Sequence, residues 1–369
     1  MYFELPPKYE RKNLYNREKE LEELHKALEH NRIILIQGLR RIGKTSLIQV
    51  FLNEQKNPFI FLDARKYVYD NRFFDKASFN KELINKTKEI IKKYGLRKIL
   101  SRVSKVSIGG TEIQLTNSTK KEASFVDILT TLNAKFKETD KKLIIAIDEA
   151  QNLRFYGKGG YDILNLLAHS YDNLLNVVFI LTGSEVGLLH DFLKVEDPNQ
   201  PLFGRYMHEI TLERFEREES INFLLEGFKQ IGIEPDIKEI ENAVNELDGI
   251  VGYLAIYGFT VYESGEWQNA LEKTKNQAVR LVKNELQNLA NRSSNYLKVL
   301  EAIAFGMDKF SKIKKYITAN FSAINDQTLT NILSGLVKSG FVEIKYIKAT
   351  KQYYIPDPIV KSASLQLKT

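Results

Sequence analysis

The run Arg32-Ile-Ile-Leu-Ile-Gln37, followed at once by Gly38-Leu-Arg-Arg-Ile-Gly-Lys-Thr45, narrows the possible folds more than any other stretch. A short, continuous apolar run reads as a strand covered on both faces of a parallel sheet. The next residues spell G-x-x-x-x-G-K-[ST], and Ser46 to Phe51 read as helix. Glycines let such a loop curl so that its N–H groups face phosphates, and the helix N-terminus adds partial positive charge. Contacts to a nucleotide are therefore expected from Gly38, Leu39, Arg40, Arg41, Ile42, Gly43, Lys44, Thr45 and Ser46. Lys44 would reach the β- and γ-phosphates, and the Thr45 hydroxyl would ligate Mg²⁺. Arg40 and Arg41 either contact the γ-phosphate or a partner, or stay solvated.

The other half of such a site is a strand that ends in carboxylate. Leu143-Ile-Ile-Ala-Ile147 runs into Asp148-Glu149. Asp148 would hold the magnesium shell. A carboxylate directly after it can polarise an attacking water as a general base; otherwise Glu149 caps the following segment. Phe59 to Leu62, Asn176 to Thr182 and His208 to Leu212 read as further strands with helices between them. Strand–helix alternation implies an α/β fold with a parallel sheet and a ligand at the strand C-terminal ends. Thr182 and Ser184 would then sense the γ-phosphate, or simply form a turn. Arg205, just before the last strand, either stabilises transition-state charge in cis or in trans, or makes a structural salt bridge.

Much of the chain between Lys44 and Asp148 is more than a minimal phosphate-binding domain needs. Within it, "SKVSIGGTEIQL" reads as a hairpin near 103–115. A Gly109-Gly110 turn pairs Ile108 with Thr111 and Val106 with Ile113, placing Val106, Ile108, Ile113 and Leu115 on one face. With the basic residues Arg97, Lys98, Arg102 and Lys105 before and in it, the hairpin is either a partner-contacting element or an insertion packed on the body.

These motifs, with "PLFGR" at 201–205, resemble the archaeal ATPases, P-loop proteins related to the AAA+ and STAND NTPases. The resemblance covers essentially the whole chain and implies ATP or ADP as ligand, Mg²⁺, and hydrolysis. "NLYNREKELEELHKAL" resembles the family's opening helix, which lies against the adenine in relatives and so implicates Leu14, Tyr15 and Arg17. "DGIVGYLAIYG" resembles the Gly-x-Pro motif of the lid, with Val251 where the proline usually stands; Gly252 and Tyr253 match archaeal relatives, and the motif implies a nucleotide contact from Tyr253. The expected organisation is an ATPase core over 1–215, a helical lid over 216–291 and a winged helix-turn-helix over 292–369.

The tail carries the charge. The chain of 369 residues has a formal net charge of +7, and from Ser293 onward eleven lysines face five acids. Leu329, Ile332, Leu333, Leu336 and Val337 form a core stripe on the third tail helix. Its outer face shows Gln327, Thr328, Thr330, Asn331, Ser334 and Lys338, with no arginine for guanine readout. Lys312, Lys314 and Lys315, with Lys345, Lys348 and Lys351, could grip phosphates without reading sequence. Duplex DNA and a protein partner stand as alternatives. Hydrolysis that moves lid and tail is one expectation; a slow ATP-gated switch, or a DNA-binding regulator with the winged helix as output, is the other. With no cysteine and no metal-ligand spacing among the five histidines, a zinc site is not expected. No apolar run is long enough to span a membrane and the first residues lack a signal-peptide pattern, so a cytoplasmic location is expected.

Overall fold

Five apolar runs pair into one parallel sheet in the computed structural model, which describes residues 1–69, 73–96, 105–114, 122–267 and 269–367. In chain order the elements begin α1 (Glu18–His30), β1 (Ile33–Gln37), α2 (Lys44–Glu54), β2 (Phe59–Asp63), β3 (Val68–Tyr69), β4 (Phe73–Phe74) and α3 (Lys76–Lys93). Then come β5 (Lys105–Ile108), β6 (Thr111–Gln114), β7 (Glu122–Ser124), α4 (Phe125–Glu138), β8 (Leu143–Asp148), α5 (Tyr161–Asn173), β9 (Val177–Gly183), α6 (Val186–Leu193) and β10 (His208–Thr211). The sheet order is β10-β1-β9-β8-β2. Every residue of β8 and β9 is buried, as expected of strands covered on both faces. Ile34, Ile36, Ile144 and Ile180 pack under α1 and α2. Ile33, Leu35, Ile145 and Phe179 pack under α3, α4 and α5. Parallel pairing aligns the strand ends: Gln37 opposes Gly183, and Asp63 opposes Asp148. The phosphate loop and the carboxylate strand therefore meet on one rim.

The hairpin forms in the expected register, Val106 to Ile113 and Ile108 to Thr111, and β7 joins it in parallel on β5. It packs on the body. Val106 and Ile108 are buried, and Asn80 donates to the Ile108 carbonyl at 3.1 Å while receiving the Tyr156 hydroxyl at 3.0 Å. Lys105 is engaged with Glu112 and Glu122 at 3.1 and 3.3 Å. Arg97, Lys98, Arg102 and Leu115 lie outside the described residues.

Beyond the sheet follow α7 (Arg217–Gln230), α8 (Ile237–Leu247), α9 (Val251–Ser264) and α10 (Ala270–Ala290). The tail comprises α11 (Asn295–Ala304), α12 (Phe310–Asn320), α13 (Asp326–Lys338), the hairpin β11 (Glu343–Ile347) and β12 (Thr350–Tyr354), and a closing helix α14 (Pro358–Gln366). Sequence reading ended the tail at the hairpin and missed α14, which Asp357 caps by accepting from the Ile359 and Val360 amides. Two features depart from three separate units. One continuous apolar core joins α7–α10 to the tail, so lid and winged helix share their packing. Phe3 belongs to that core as well, seated against Gly227 and Gly258, so the first residues pack with the lid and not with the sheet. No helix among the described residues is long and apolar enough to cross a membrane.

Candidate active site

The phosphate loop leaves β1 through Gly38 at φ 145°, where a Cβ would sit 2.5 Å from the Leu212 carbonyl oxygen. Only glycine fits that approach. Gly43 heads α2 in left-handed conformation, which turns the helix N-terminus toward the site. Lys44 is 5% exposed, and its ammonium donates to the Gly38 and Leu39 carbonyls at 2.9 and 2.6 Å. Burial pushes its pKa down to about 8, against the attraction of Glu149 and Asp148.

Asp148 is fully buried at the end of β8. Thr45 Oγ1 donates to its Oδ2 at 2.9 Å, and Thr182 Oγ1 donates to its Oδ1. Burial, then the neighbouring Glu149, raises its pKa; Thr182, Arg65 and Thr45 pull the other way. A hydroxyl and a carboxylate side by side are hard oxygen donors and suit a small divalent cation such as magnesium. Glu149 turns the chain at φ 52° and aims its carboxylate at the rim. Its Oε2 accepts from Ser184 Oγ at 2.7 Å and Gln151 Nε2 at 2.6 Å. Burial favours the neutral acid, but Lys44, the Ser184 and Gln151 hydrogen bonds and Arg40 outweigh it, so the carboxyl is held below its usual range.

A cavity of about 540 Å³ opens over this rim. Lys44, Thr45, Arg65 and Glu149 line one end; Leu14, Tyr15, Phe215 and Phe223 line the other. Charged and hydroxyl groups suited to phosphate and an aromatic cluster suited to a base thus line the same cavity. Arg17 is 6% exposed and fixes the entry: it donates to the Glu213 carbonyl at 2.8 Å, pairs with Glu20 and lies over the Phe215 ring. Pro6, Pro7 and Lys8 wall the same cavity, and the Lys8 amide donates to Ser46 Oγ at 3.1 Å.

Residues 14–256 match the family described as an ATPase domain predominantly from Archaea, and residues 290–355 match the C-terminal winged helix-turn-helix domain of MCM proteins. A Walker-type ATPase of Pyrococcus abyssi superposes with a TM-score of 0.83 at 33% identity, covering 99% of both chains. The chain belongs to the archaeal ATPase family. An uncharacterized ATP-binding protein of Methanocaldococcus jannaschii is 25% identical over 350 residues, 88% of this chain and 93% of the relative. The Aeropyrum pernix ORC2 protein, solved in ADPNP–ADP complexes, shares the fold with a TM-score of 0.59 at 16% identity over 98% of this chain and 97% of that one.

Within this archaeal ATPase, several residues sit away from their expected places. Arg205 is not at the phosphate rim of its own chain. Its fork pairs with Asp172 at 3.0 and 2.5 Å, beside a separate pocket bounded by His190 and Met207. Tyr253 does not line the nucleotide cavity either: it is fully buried, its hydroxyl donates to Asp357 at 2.9 Å, and Val251, Gly252, Ala255 and Ile256 present α9 to the cavity instead. Thr182 is buried behind Asp148, where its oxygen also accepts the Glu149 amide at 3.0 Å, so it orients the Asp148 carboxylate and the Glu149 backbone. Leu39 contributes its carbonyl to Lys44. Arg40 and Arg41 are both ion-paired, and Arg41 also lines the cavity beside Lys44. Arg40 donates to the Ser339 carbonyl at 2.8 Å, pairs with Glu185 at 2.6 Å and Glu285 at 3.3 Å, and lies over Phe341. Arg41 pairs with Glu285 and faces the Tyr253 ring. Sequence reading missed Arg65, Gln151, Glu285 and the Pro6–Lys8 wall. Arg65 stands two residues and Gln151 three residues beyond a strand-terminal carboxylate, Asp63 and Asp148, which was the available signal.

Proposed function

We propose that the chain hydrolyses ATP to ADP and phosphate with magnesium, and that nucleotide state shifts the helical and winged-helix segments against the sheet. The observation that carries the reading is Glu149: a carboxylate held ionised by Lys44, Ser184 and Gln151, on the cavity rim one residue from the Thr45–Asp148 pair. In this reading Gly38 to Ser46 wrap the phosphates, and Lys44 leaves the Gly38 and Leu39 carbonyls to neutralise charge on the β- and γ-phosphates. Thr45 and Asp148 hold magnesium, which when bound would spread the charge of the phosphate oxygens. Glu149 orients a water toward the γ-phosphorus and accepts its proton. Leu14, Tyr15 and Arg17 form the base end. Arg205 has no part in this chain's own site and would act only on a neighbouring copy.

The division into a core over 1–215, a lid over 216–291 and a winged helix over 292–369 is part of the same proposal. The shared apolar core favours lid and tail moving as one body. Arg40 and Arg41, inside the phosphate loop, are the link from nucleotide to that body.

The test is phosphate release by the wild type and Glu149→Gln, with and without duplex DNA. Glu149→Gln is expected to keep ATP affinity and to lose turnover by about 10²- to 10⁴-fold. Equal release from both proteins would overturn the catalytic role and leave the ATP-gated switch.

A second reading, a DNA contact through the winged helix, is favoured by one feature. Gln327, Thr330, Asn331 and Ser334 on α13 and Lys345, Lys348 and Lys351 on the wing are all exposed, and Tyr346 at the wing tip is 71% exposed. Such a surface would grip phosphates with steep salt dependence and little sequence preference. DNA binding that survives Lys44→Ala would make ATP a structural ligand of a DNA-binding regulator.

A further inference from the structure

Arg65 follows β2 by two residues. Its Nε and Nη2 donate to both oxygens of Asp63 at 2.9 and 2.8 Å, a bidentate fork. The same Nη2 reaches Asp148 Oδ2 at 3.4 Å, the oxygen on which the Thr45 hydroxyl also converges. Asp63 and Asp148 oppose one another at the ends of adjacent strands, so one guanidinium spans both. The Arg65 side chain is 55% exposed, and it lines the nucleotide cavity together with Lys44 and Glu149. Its Nη1 has no hydrogen-bond partner among the described residues. Arg65 is thus a cation at the phosphate end, held by one edge and free at the other. Arg205, by contrast, has its fork closed on Asp172.

We propose that Arg65 is a catalytic residue of ATP hydrolysis, a same-chain arginine that contacts the γ-phosphate oxygens. The proposal rests on the ATPase reading above. Thr45 and Asp148 would hold the cation of a bound triphosphate, and its positive charge would compete with the Arg65 Nη2 for Asp148 Oδ2. Asp63 keeps the guanidinium on the rim, so Arg65 pivots toward the phosphate and does not leave the site. In the reaction the water oxygen bonds to the γ-phosphorus as the bond to the β,γ-bridging oxygen breaks. The electron pair of the broken bond stays on the ADP oxygen, and the water proton passes to Glu149. Arg65 transfers no proton. It stabilises charge that spreads over the γ-phosphate oxygens in the transition state, where a guanidinium fork is better matched than in the ground state.

The experiment measures single-turnover phosphate release and the affinity for ADP–aluminium fluoride relative to ATPγS, in the wild type, Arg65→Ala, Arg65→Lys and Glu149→Gln. Arg65→Ala is expected to slow release by about 10³-fold, in the range of an arginine that stabilises phosphoryl transfer. It should lose affinity for ADP–aluminium fluoride while ATPγS affinity stays within about threefold, because the contact belongs to the transition state. Arg65→Lys keeps a charge on Asp63 without the fork and should recover folding but little of the rate. Mixing Arg65→Ala with Glu149→Gln tests the same-chain claim. No recovery is expected; release well above that of either variant alone, up to about a quarter of the wild-type rate in an equal mixture, would overturn it. Wild-type-like release and analogue affinity in a folded Arg65→Ala would overturn the catalytic role. If the wild type releases no more phosphate than Glu149→Gln, the ATPase reading fails first, and an analogue affinity that still depends on Arg65 would keep the contact.

Discussion

Single side chains set the chemistry of the rim, and Lys44 makes that testable by pH. Burial pushes the pKa of its ammonium down to about 8. In the proposed site phosphates bind the protonated form, so above that pH binding would take up a proton. Apparent ATP affinity is expected to fall by up to about tenfold per pH unit above about pH 8 and to level off below it. Stability runs the other way. An unfolded lysine titrates near 10.4, so between about pH 8 and 10 the unfolded chain holds more protons and the protein without nucleotide added is expected to gain stability as pH rises. Calorimetric titration checks the binding slope, and Lys44→Arg should abolish it because a guanidinium stays charged. Lys8, also lowered to about 8 by burial and walling the same cavity, is the control; loss of the slope in Lys8→Met instead would assign the proton there. At this scale the sequence was a good guide wherever spacing dictates chemistry. The Lys44, Thr45, Asp148 and Glu149 side chains meet because each sits at a strand or helix end. Arg40, Arg41, Tyr253 and Arg205 could not be placed the same way. Their partners, Ser339, Glu285, Asp357 and Asp172, come from distant parts of the chain or from a different helix, and local pattern carries no trace of them.

At the scale of elements, α9 meets the phosphate loop backbone to backbone. The Gly252 amide donates to the Arg41 carbonyl at 2.9 Å, and a Cβ at Gly252 would stand 2.8 Å from Arg41 Cβ. Gly252→Ala is expected to push α9 from the loop and weaken ATP binding by about 1–3 kcal/mol, the usual cost of overpacking, with a smaller change in melting temperature. Equal losses in binding and in stability would mean that the contact serves folding alone. The elements themselves were largely readable. Continuous apolar runs gave the sheet strands, a 3.6-residue stripe gave α13, and the glycine pair gave the β5–β6 register. The closing helix α14 was not, because its Ile359, Val360 and Ala363 are too few to show a period and become buried through packing against α8, α10 and α11.

The whole molecule is organised around the place where the tail rests on the sheet. Lys338 at the end of α13 pairs with Asp191 of α6 at 2.8 Å and covers Gly187, while Arg40 holds Ser339 and Phe341 from the loop. Arg40→Ala is expected to lower the cost of opening this contact by roughly 1.5–3 kcal/mol, as for a lost hydrogen bond to a charged group. Hydrogen exchange over 334–342 should then speed up while exchange in β8 and β9 stays slow; unchanged exchange in the tail would show that Arg40 does not hold it. Arg40 also makes two bodies answer to one another. Its guanidinium is fastened to the tail and its backbone belongs to the loop, so if nucleotide loosens the tail as proposed, the same free energy must return, with equal size, as a change in nucleotide affinity when something else pulls the tail away. A binder that never comes near the cavity would therefore register as a shifted dissociation constant for ATP.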